Sequence, residues 1–440
     1  MKDLLRELES QEDKLLHCVH CGFCLPVCPT YTRLADEADS PRGRLHFMKA
    51  LVDGRVSPSS GAFQTHLDRC LGCRACESVC PSGVEYGRLL EGAREVAVRA
   101  KPPGFLVRIL PRVMASRGLL GVMALLARAM RGAGAAATAA RLLPARGVLG
   151  KVRLGMGMVA ATAAPRWLSY GAHGGGGNTS GGPSPVGGPD QAPGQGTKVA
   201  LLTGCIQEGL LGRVNRATAR VLAVNGFELV GVPDQTCCGA LHAHSGELEG
   251  ARALARENVR AFEEVGIDLV VVNAAGCGAA MKDYGHLLSE DPEYSERALA
   301  LAARVRDISE VLAHPALRRG AELPVTVAYD APCHLLHAQK IAEPPLEILR
   351  AIPGLTLVPL RKPDECCGGA GIYGITHPEL GGSIGGDKIR DILDSGAELV
   401  ATGNPGCMMQ IGAGLILEGA TVGVVHPVEL LDESYRRGNS

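Results

Sequence analysis

A cysteine spacing that occurs twice near the start of this 440-residue chain constrains its fold more than any other feature. The spacing is C-x2-C-x2-C-x3-C followed by proline, and it begins at Cys18 and again at Cys70. Four thiolates spaced in this way are typical ligands of a [4Fe–4S] cluster. The two copies therefore predict two [4Fe–4S] clusters. Their expected ligands are Cys18, Cys21, Cys24, Cys28, Cys70, Cys73, Cys76 and Cys80.

The fourth cysteine of each motif is expected to cross to the cluster of the other motif, as it does in two-cluster ferredoxins. One cluster then takes Cys18, Cys21, Cys24 and Cys80. The other takes Cys70, Cys73, Cys76 and Cys28. Structural zinc is the alternative, but zinc usually binds two separated cysteine pairs rather than three evenly spaced cysteines before C-P. Gly22 and Gly72 would let the backbone approach the clusters closely.

A helix is predicted to begin between the two motifs. Ser40 is a favourable N-cap, and Pro41 suits the first helical position. Arg42 and Arg44 follow in this helix. Either they lie near the clusters, where positive charge would stabilise a reduced centre, or they are solvated at the surface, and the sequence leaves both possibilities open.

The compartment is predicted from cysteine usage and from the absence of targeting patterns. All 16 cysteines fall within recognisable motifs, unlike the dense disulfide framework of a short secreted domain. We therefore expect thiolates in a reducing cytoplasm. Residues 1–17 lack the apolar core of a signal peptide. The sequence contains no run of 18 apolar residues, so no membrane span is predicted. A net charge of −1 and 3% aromatic residues argue against a nucleic-acid partner.

Three segments of different composition precede the second half of the chain. Residues 1–100 are expected to form the two-cluster module. Residues 101–170 contain eleven Lys or Arg and no Asp or Glu, with apolar stretches of helical period. This basic segment is interpreted as a helical connector that packs on a partner, with contact to an anionic membrane surface as the alternative. Residues 171–197 are rich in Gly, Pro and Ser and are predicted to be a disordered linker.

Residues 198–440 alternate between strand and helix patterns, which is typical of α/β layers with parallel sheets. Strands are predicted at residues 199–202, 227–230, 268–273, 325–329 and 398–402. Most of them run directly into a cysteine, at the edge where open α/β sheets place their sites. We therefore predict an α+β chain in which a helical, ferredoxin-like module with two [4Fe–4S] clusters precedes a duplicated α/β domain.

The duplication is visible in the cysteines. Each copy contains a lone cysteine, a C-C-G triplet and a second lone cysteine, offset between copies by 128, 129 and 130 residues. This steady period indicates two homologous lobes, residues 198–322 and 323–440. Each lobe offers four thiols, the number that a [4Fe–4S] cluster needs, although a buried cysteine pair without metal is the alternative. The tentative ligands are Cys205, Cys237, Cys238, Cys277, Cys333, Cys366, Cys367 and Cys407.

These motifs together resemble the iron–sulfur subunit of glycolate oxidase (glycolate dehydrogenase) over nearly the whole chain. The resemblance is carried by residues 20–24, 29–31, 40–44 and 70–87 and by the two C-C-G lobes. It implies a partner subunit in which FAD oxidises glycolate, and often D-lactate, to the 2-oxo acid. This chain would then be an electron-transfer subunit without catalytic residues of its own, passing electrons toward the quinone pool. It would be cytoplasmic or peripheral at the inner face of the membrane.

The C-C-G lobes are also similar to those of heterodisulfide reductase, which hold non-cubane clusters. That family's pattern ends in C-x-x-C, whereas Ala280 and Gln410 occupy the last position here. The alternative function is therefore a subunit that reduces a disulfide at clusters bound by the lobes, and a redox sensor or scaffold is a third hypothesis. His242, His244 and His334 are either ligands, proton donors or structural histidines. Glycolate and D-lactate are not distinguished by this sequence, because the substrate would bind the partner.

Overall fold

The computed structural model describes residues 2–165, 168 and 192–438 and has the predicted α+β architecture. A helical N-terminal module and a helical connector precede two small parallel sheets, each flanked by helices. The predicted fold class is confirmed. Residues 171–191 of the predicted linker lie outside the described residues, whereas residues 192–197 form turns in which the Gly194 amide donates to the Asn225 carbonyl over 3.0 Å.

The module consists of short helices packed around an apolar core. Ser40 caps the helix Pro41–Val52 (α4) by accepting a hydrogen bond from the Gly43 amide over 3.0 Å, and Pro41 occupies the first helical position, which confirms the predicted start. Leu8, Met48, Phe63 and Leu89 form the centre of the core. A 3₁₀ turn covers Glu37–Asp39. The helices are α1 (Lys2–Glu9), α2 (Glu12–Leu15), α3 (Tyr31–Leu34), α4 (Pro41–Val52), α5 (Gly61–Asp68), α6 (Ala75–Ser78) and α7 (Tyr86–Ala100).

The connector is helical and packs on the lobes. Its helices are α8 (Phe105–Ala115), α9 (Arg117–Gly132), α10 (Ala135–Leu142) and α11 (Gly147–Ala161). Ser116 separates the helices α8 and α9 and is the N-cap of α9. Taken singly, none of the helices in the described ranges is long and apolar enough to span a membrane. Residues 107–115 and α9 together reach the length and apolar composition of a membrane span, but the two helices are bent by 101° relative to each other.

The two lobes repeat one topology. All neighbouring strands are parallel, in the orders β2-β1-β3-β4 and β6-β5-β7-β8, so the predicted duplication is confirmed. The strands are β1 (Lys198–Leu201), β2 (Glu228–Leu229), β3 (Leu269–Val272), β4 (Val305–Asp307), β5 (Val325–Tyr329), β6 (Leu355–Val358), β7 (Leu399–Ala401) and β8 (Gly423–Val425). Sequence analysis missed β4, β6 and β8. These are edge strands of three or four residues that contain charged residues, threonine or glycine, whereas the fourth edge strand, β2, was predicted within residues 227–230.

Helices alternate with the strands of both lobes. In the first lobe they are α12 (Ile206–Val224), α13 (Ala240–His244), α14 (Leu248–Glu263), α15 (Ala275–Lys282), α16 (Tyr284–Leu287), α17 (Ser295–Ala302) and α18 (Ile308–Leu312). In the second lobe they are α19 (Pro344–Arg350), α20 (Tyr373–Thr376), α21 (Pro378–Asp394), α22 (Pro405–Leu417) and α23 (Pro427–Arg437), with a π-helical turn at His334–Ala338. One apolar core continues from β1 and α12 into the second lobe, so the two sheets are parts of one packed unit.

Candidate metal centres

The eight cysteines of the module lie around two adjacent small cavities. The first cavity is bordered by Cys18, Cys21, Cys24 and Cys80, and also by Cys76, which the two cavities share. The second is bordered by Cys28, Cys70, Cys73 and Cys76. The structure therefore brings together the two sets that crossing of the fourth cysteine predicts. Four thiols around each cavity fit the donor set of a [4Fe–4S] cluster, which supplies one-electron chemistry when bound.

The two motif loops share one backbone shape. Each has left-handed residues two and four positions after its first cysteine. They are His20 (φ 55°) and Gly22 (φ 88°) in the first loop, and Gly72 (φ 67°) and Arg74 (φ 63°) in the second. Only one of the two positions in each loop is glycine, so His20 and Arg74 carry the backbone strain. In the second loop the Gly72 amide donates to the Cys70 sulfur over 3.4 Å.

The structure decides between the two interpretations of Arg42 and Arg44. Arg44 is only 1% exposed, and its guanidinium donates to the Thr30 hydroxyl over 3.1 Å. That hydroxyl lies 3.2 Å from the Cys28 sulfur. Arg42 donates to the His20 carbonyl over 3.0 Å and pairs with Glu37 at the surface. Both arginines therefore support the cluster loops, and Arg44 does so from a buried position.

Cys70 of the second ligand set lies close to two positively charged side chains. Burial raises the pKa of the Cys70 thiol, but the charges of Arg44 and Arg94 and a hydrogen bond with Tyr86 outweigh it and hold that pKa below its ordinary value. The Tyr86 hydroxyl lies 3.5 Å from the Cys70 sulfur. Arg94 donates to the Cys70 carbonyl over 2.5 Å. Sequence analysis missed Arg94 and Tyr86, because they follow the motif on α7 at no characteristic spacing.

The four cysteines of the first lobe come together at the carboxyl edge of its sheet. Cys205 follows β1, Cys277 lies in α15 just after β3, and the pair Cys237 and Cys238 precedes α13. The sulfurs of Cys205 and Cys237 are 3.7 Å apart, and the Cys238 thiol contacts those of Cys237 and Cys277. Gly239 turns the chain after the pair with φ 81°, a conformation that glycine adopts readily.

The second lobe repeats this arrangement. The Cys366 thiol contacts those of Cys333 and Cys367, and the sulfurs of Cys367 and Cys407 are 3.4 Å apart. Gly368 has φ 77°, and a side chain there would meet the Gly381 carbonyl at 2.2 Å. Each lobe therefore presents a continuous row of four thiols, a donor set that fits a metal–sulfur centre.

Gln410 takes the place of a fifth cysteine in the second lobe. Its side chain is buried, and its Oε1 atom has no hydrogen-bond partner among the described residues. A side chain built at the neighbouring Gly369 would lie 3.0 Å from the Gln410 Cβ and 3.4 Å from the Cys367 sulfur. An amide therefore stands beside the thiol row where the heterodisulfide-reductase pattern has a thiol.

All eight lobe cysteines border one cavity of about 790 Å³. Cys70 of the module also reaches it. The connector forms an apolar wall opposite the thiols, to which Val107, Leu110 and Met114 contribute. The thiol rows of both lobes and Cys70 of the module's second ligand set therefore border the same cavity.

Two of the three candidate histidines face each other between the module and the lobes. The rings of His244 and His334 are 5.1 Å apart. His244 Nδ1 lies 2.9 Å from a Glu91 carboxylate oxygen, and His334 Nδ1 lies 3.5 Å from the Cys333 sulfur. His242 is buried on α13 away from this pair, with its Nδ1 unpaired among the described residues. His334 is therefore the histidine in contact with a thiol row.

A buried ion pair behind the second thiol row also escaped sequence analysis. Lys388 and Asp330 are both almost fully buried, with 3.0 Å between Nζ and Oδ1. Lys388 also donates to the carbonyls of Lys362 and Pro363 over 2.8 and 3.0 Å. The two charges lie 58 residues apart in sequence, so no local spacing identified them.

The fold and the thiol sets define an iron–sulfur protein in which a two-cluster, ferredoxin-type module is joined to a duplicated cysteine-rich domain. Comparison with family models agrees: residues 14–84 match a "4Fe-4S dicluster domain", and residues 199–282 and 327–412 match a "Cysteine-rich domain".

Full-length relatives narrow the class to one family. The chain is 36% identical to the probable glycolate oxidase iron–sulfur subunit of Bacillus subtilis, over 99% of this chain and 97% of that protein. It is 32% identical to the glycolate oxidase iron–sulfur subunit of Escherichia coli, over 99% and 98%. It is 31% identical to lactate utilization protein A of Exiguobacterium, over 54% of this chain and 98% of that protein. The chain belongs to the family of glycolate oxidase iron–sulfur subunits, which confirms the resemblance found in the sequence.

Proposed function

We propose that this chain is the electron-transfer subunit of a flavin-dependent glycolate or D-lactate dehydrogenase complex. A partner subunit would oxidise the 2-hydroxy acid with FAD, and [4Fe–4S] clusters on this chain would carry the electrons onward toward the quinone pool. The observation that carries the proposal is the series of thiol sets running from the surface of the module to the cavity between the lobes. Family membership supports the same function.

The surface around the first ligand set is suited to an electron-donating partner. Cys21 is exposed, and the neighbouring Val19 and Phe23 are 67% and 63% exposed. Exposed apolar side chains beside a redox centre favour docking of another protein. The second set, at Cys28 and Cys70, is buried behind the first. A reduced flavin holds two electrons and each cluster accepts one, so two adjacent clusters suit the stepwise emptying of a flavin.

The connector offers a second surface, which suits contact with the acceptor of the electrons. α9 exposes Leu119, Val122, Leu125 and Leu126 on a segment that otherwise carries basic residues. A helix with this composition suits either a partner protein or an anionic membrane surface. We therefore propose a cytoplasmic protein that is peripheral at the inner face of the membrane. The apolar connector wall of the large cavity suits a lipid-soluble acceptor such as a quinone.

Anaerobic reduction of the clusters by glycolate tests this function. The purified chain mixed with glycolate is expected to keep its oxidised cluster spectrum, because substrate oxidation is assigned to the partner. Adding a purified FAD-containing glycolate dehydrogenase subunit as the partner should bleach the spectrum, and D-lactate in a parallel sample measures the substrate preference. Rapid reduction by glycolate without any flavoprotein would contradict the assignment.

Reduction of a disulfide at the lobes is the second candidate function. It is favoured by the convergence of eight lobe thiols on one cavity. The distinguishing measurement supplies dithionite as reductant and a low-molecular-weight disulfide as acceptor. Disulfide-dependent reoxidation of the chain, faster than with a quinone, would support this function over the first.

A further inference from the structure

The second ligand set of the module is in direct contact with the second lobe. Residues of the module and of the second lobe form one buried apolar cluster. One further thiol from the module and one from the second lobe pack against this cluster. Its members are Leu71, Cys366, Tyr373 and Ile384, with Cys73 and Cys333 packed against it. Burial and the charge of Cys333 raise the pKa of the Cys73 thiol. The thiol set of the module and the thiol row of the second lobe are therefore neighbours without an intervening layer of protein.

Polar contacts hold this junction from several sides. The Tyr373 hydroxyl donates to the Arg69 carbonyl, immediately before the motif, over 2.7 Å. The Ser78 hydroxyl on α6 lies 2.8 Å from His337 Nδ1 in the π-helical turn. These two contacts lie on either side of the second cysteine loop and hold the second lobe in a fixed position against the second ligand set.

The first lobe meets the module through different elements. Arg94 donates to the His244 carbonyl over 2.9 Å, and Arg88 pairs with Asp283 at 2.7 Å. Both arginines lie on α7, and Arg74 of the second cysteine loop adds a longer contact to Asp283 at 3.8 Å. Within the described part of the chain, no cysteine of the first lobe joins the apolar junction. Cys238 instead faces Gly72 across a separate cavity of about 50 Å³.

The lobes also differ in charge behind their thiol rows. The offset of 128 residues places Leu202 where the second lobe has Asp330, and the buried faces of α14 and α21 align at an offset of 130, which places Asn258 where the second lobe has Lys388. Leu202 and Asn258 are both buried and uncharged, and Asn258 donates to the Cys237 carbonyl over 3.0 Å. A buried ion pair is costly to desolvate, so its presence in one copy alone marks the two rows as electrostatically unlike.

We propose that the thiol row of the second lobe binds the centre that takes electrons directly from the cluster of the Cys70 motif, and that the first lobe lies off this step. The inference rests on the proposed electron-transfer function. In the step, one electron leaves the reduced module cluster and reduces the centre on Cys333, Cys366, Cys367 and Cys407, and no bond is made or broken. The original reductant is the partner flavin in the complex, or dithionite in the experiment below.

The internal duplication supplies a matched pair of variants for the test. Cys366→Ser and Cys237→Ser remove the same position of the two rows, 129 residues apart. The full-length chain is reconstituted anaerobically with iron and sulfide, reduced with dithionite and examined by electron paramagnetic resonance. The two reduced module clusters split each other's signals, so the measurement follows the additional splitting that a lobe centre contributes. We expect this additional splitting to be lost in Cys366→Ser and kept in Cys237→Ser.

Iron content and a second matched pair of variants show whether a lost splitting is caused by misfolding. Each variant should retain about eight irons in its module, four for each cluster. If Cys366→Ser fails to fold, Cys333→Ser and its counterpart Cys205→Ser are compared in the same way. Loss of the additional splitting in the first-lobe variant alone, or its absence from the unaltered chain, would overturn the inference. Because dithionite replaces the partner, such a result would leave glycolate-dependent reduction of the module standing.

Discussion

At the scale of single residues, Arg44 shows how this chain places charge beside a cluster. Its guanidinium is buried between Thr30, the His66 carbonyl and the Asp39 carboxylate, at 3.1, 2.6 and 3.2 Å. Asp39 is shared with Arg69 at 2.8 Å, so the two arginines outnumber the carboxylate. A net positive group beside the Cys28 thiol stabilises a cluster that has gained an electron.

Replacing Arg44 by Gln is therefore expected to lower the midpoint potential of the second module cluster. Loss of one partly compensated charge is worth about 1 kcal/mol at an effective dielectric constant of about 20, or about 40 mV for one electron. Redox titration monitored by paramagnetic resonance measures both module clusters at once. The Arg42→Gln variant is the control, since Arg42 contacts the other loop at His20. Equal shifts of both clusters in Arg44→Gln would argue against a local charge effect.

At the scale of elements, the connector is joined to the second lobe by close packing of α11 on α22. Gly157 approaches Ala413, and Gly412 approaches Ala161, so the small residues are distributed over both helices. A side chain built at Gly412 would meet the Ala161 Cβ at 2.6 Å, closer than packed carbons allow. The two helices hold their spacing because neither presents a larger side chain at the crossing.

The Gly412→Ala variant should consequently unfold more easily, by about 1–3 kcal/mol, because the helices must separate. Gly155→Ala on α11 is the matched control, since a side chain there meets nothing within 4 Å. That substitution is expected to be stabilising by up to about 1 kcal/mol through helix propensity. Urea unfolding followed by circular dichroism compares the two. Similar stability of both variants would mean that the crossing tolerates a wider spacing.

At the scale of the whole molecule, the two lobes behave as one unit because a buried ion pair and a continuous core join them. Arg213 on α12 of the first lobe donates to both carboxylate oxygens of Glu429 on α23, at 2.8 and 3.0 Å. Both side chains are nearly inaccessible to solvent. Removing one partner alone leaves the other charge buried and uncompensated.

Arg213→Met is expected to cost about 3–5 kcal/mol of unfolding free energy for this reason. Adding Glu429→Gln removes the stranded charge while the amide oxygen still accepts from the His426 backbone, as Glu429 does over 2.9 Å. The double variant should therefore recover about half of the loss or more. Thermal unfolding should show both lobes melting in a single transition. Additive losses in the double variant would show that the two side chains act independently.

Local spacing made the chemistry of this chain predictable. The motifs starting at Cys18 and Cys70 and the two C-C-G copies place ligands within a few residues, or at one repeated period, so the thiol sets and the duplicated sheets could be predicted without coordinates. Central strands were predicted because continuous apolar runs mark them. Among the edge strands, β2 was predicted within residues 227–230, whereas β4, β6 and β8 were missed because charged residues, threonine or glycine interrupt their apolar runs.

Contacts between distant segments were decided by the tertiary structure alone. In the sequence, Arg44 lies in a helix between the two cluster motifs and Cys73 lies in the second motif, but the fold buried the first beside Thr30 and placed the second near Cys333, 260 positions away. The pair of Lys388 and Asp330 behind one thiol row arose in the same way. The ligand motifs can be recognised from residues close in sequence or from one repeated period. Charge compensation and the order of neighbouring centres instead depend on which surfaces pack together, and packing is a property of the whole chain.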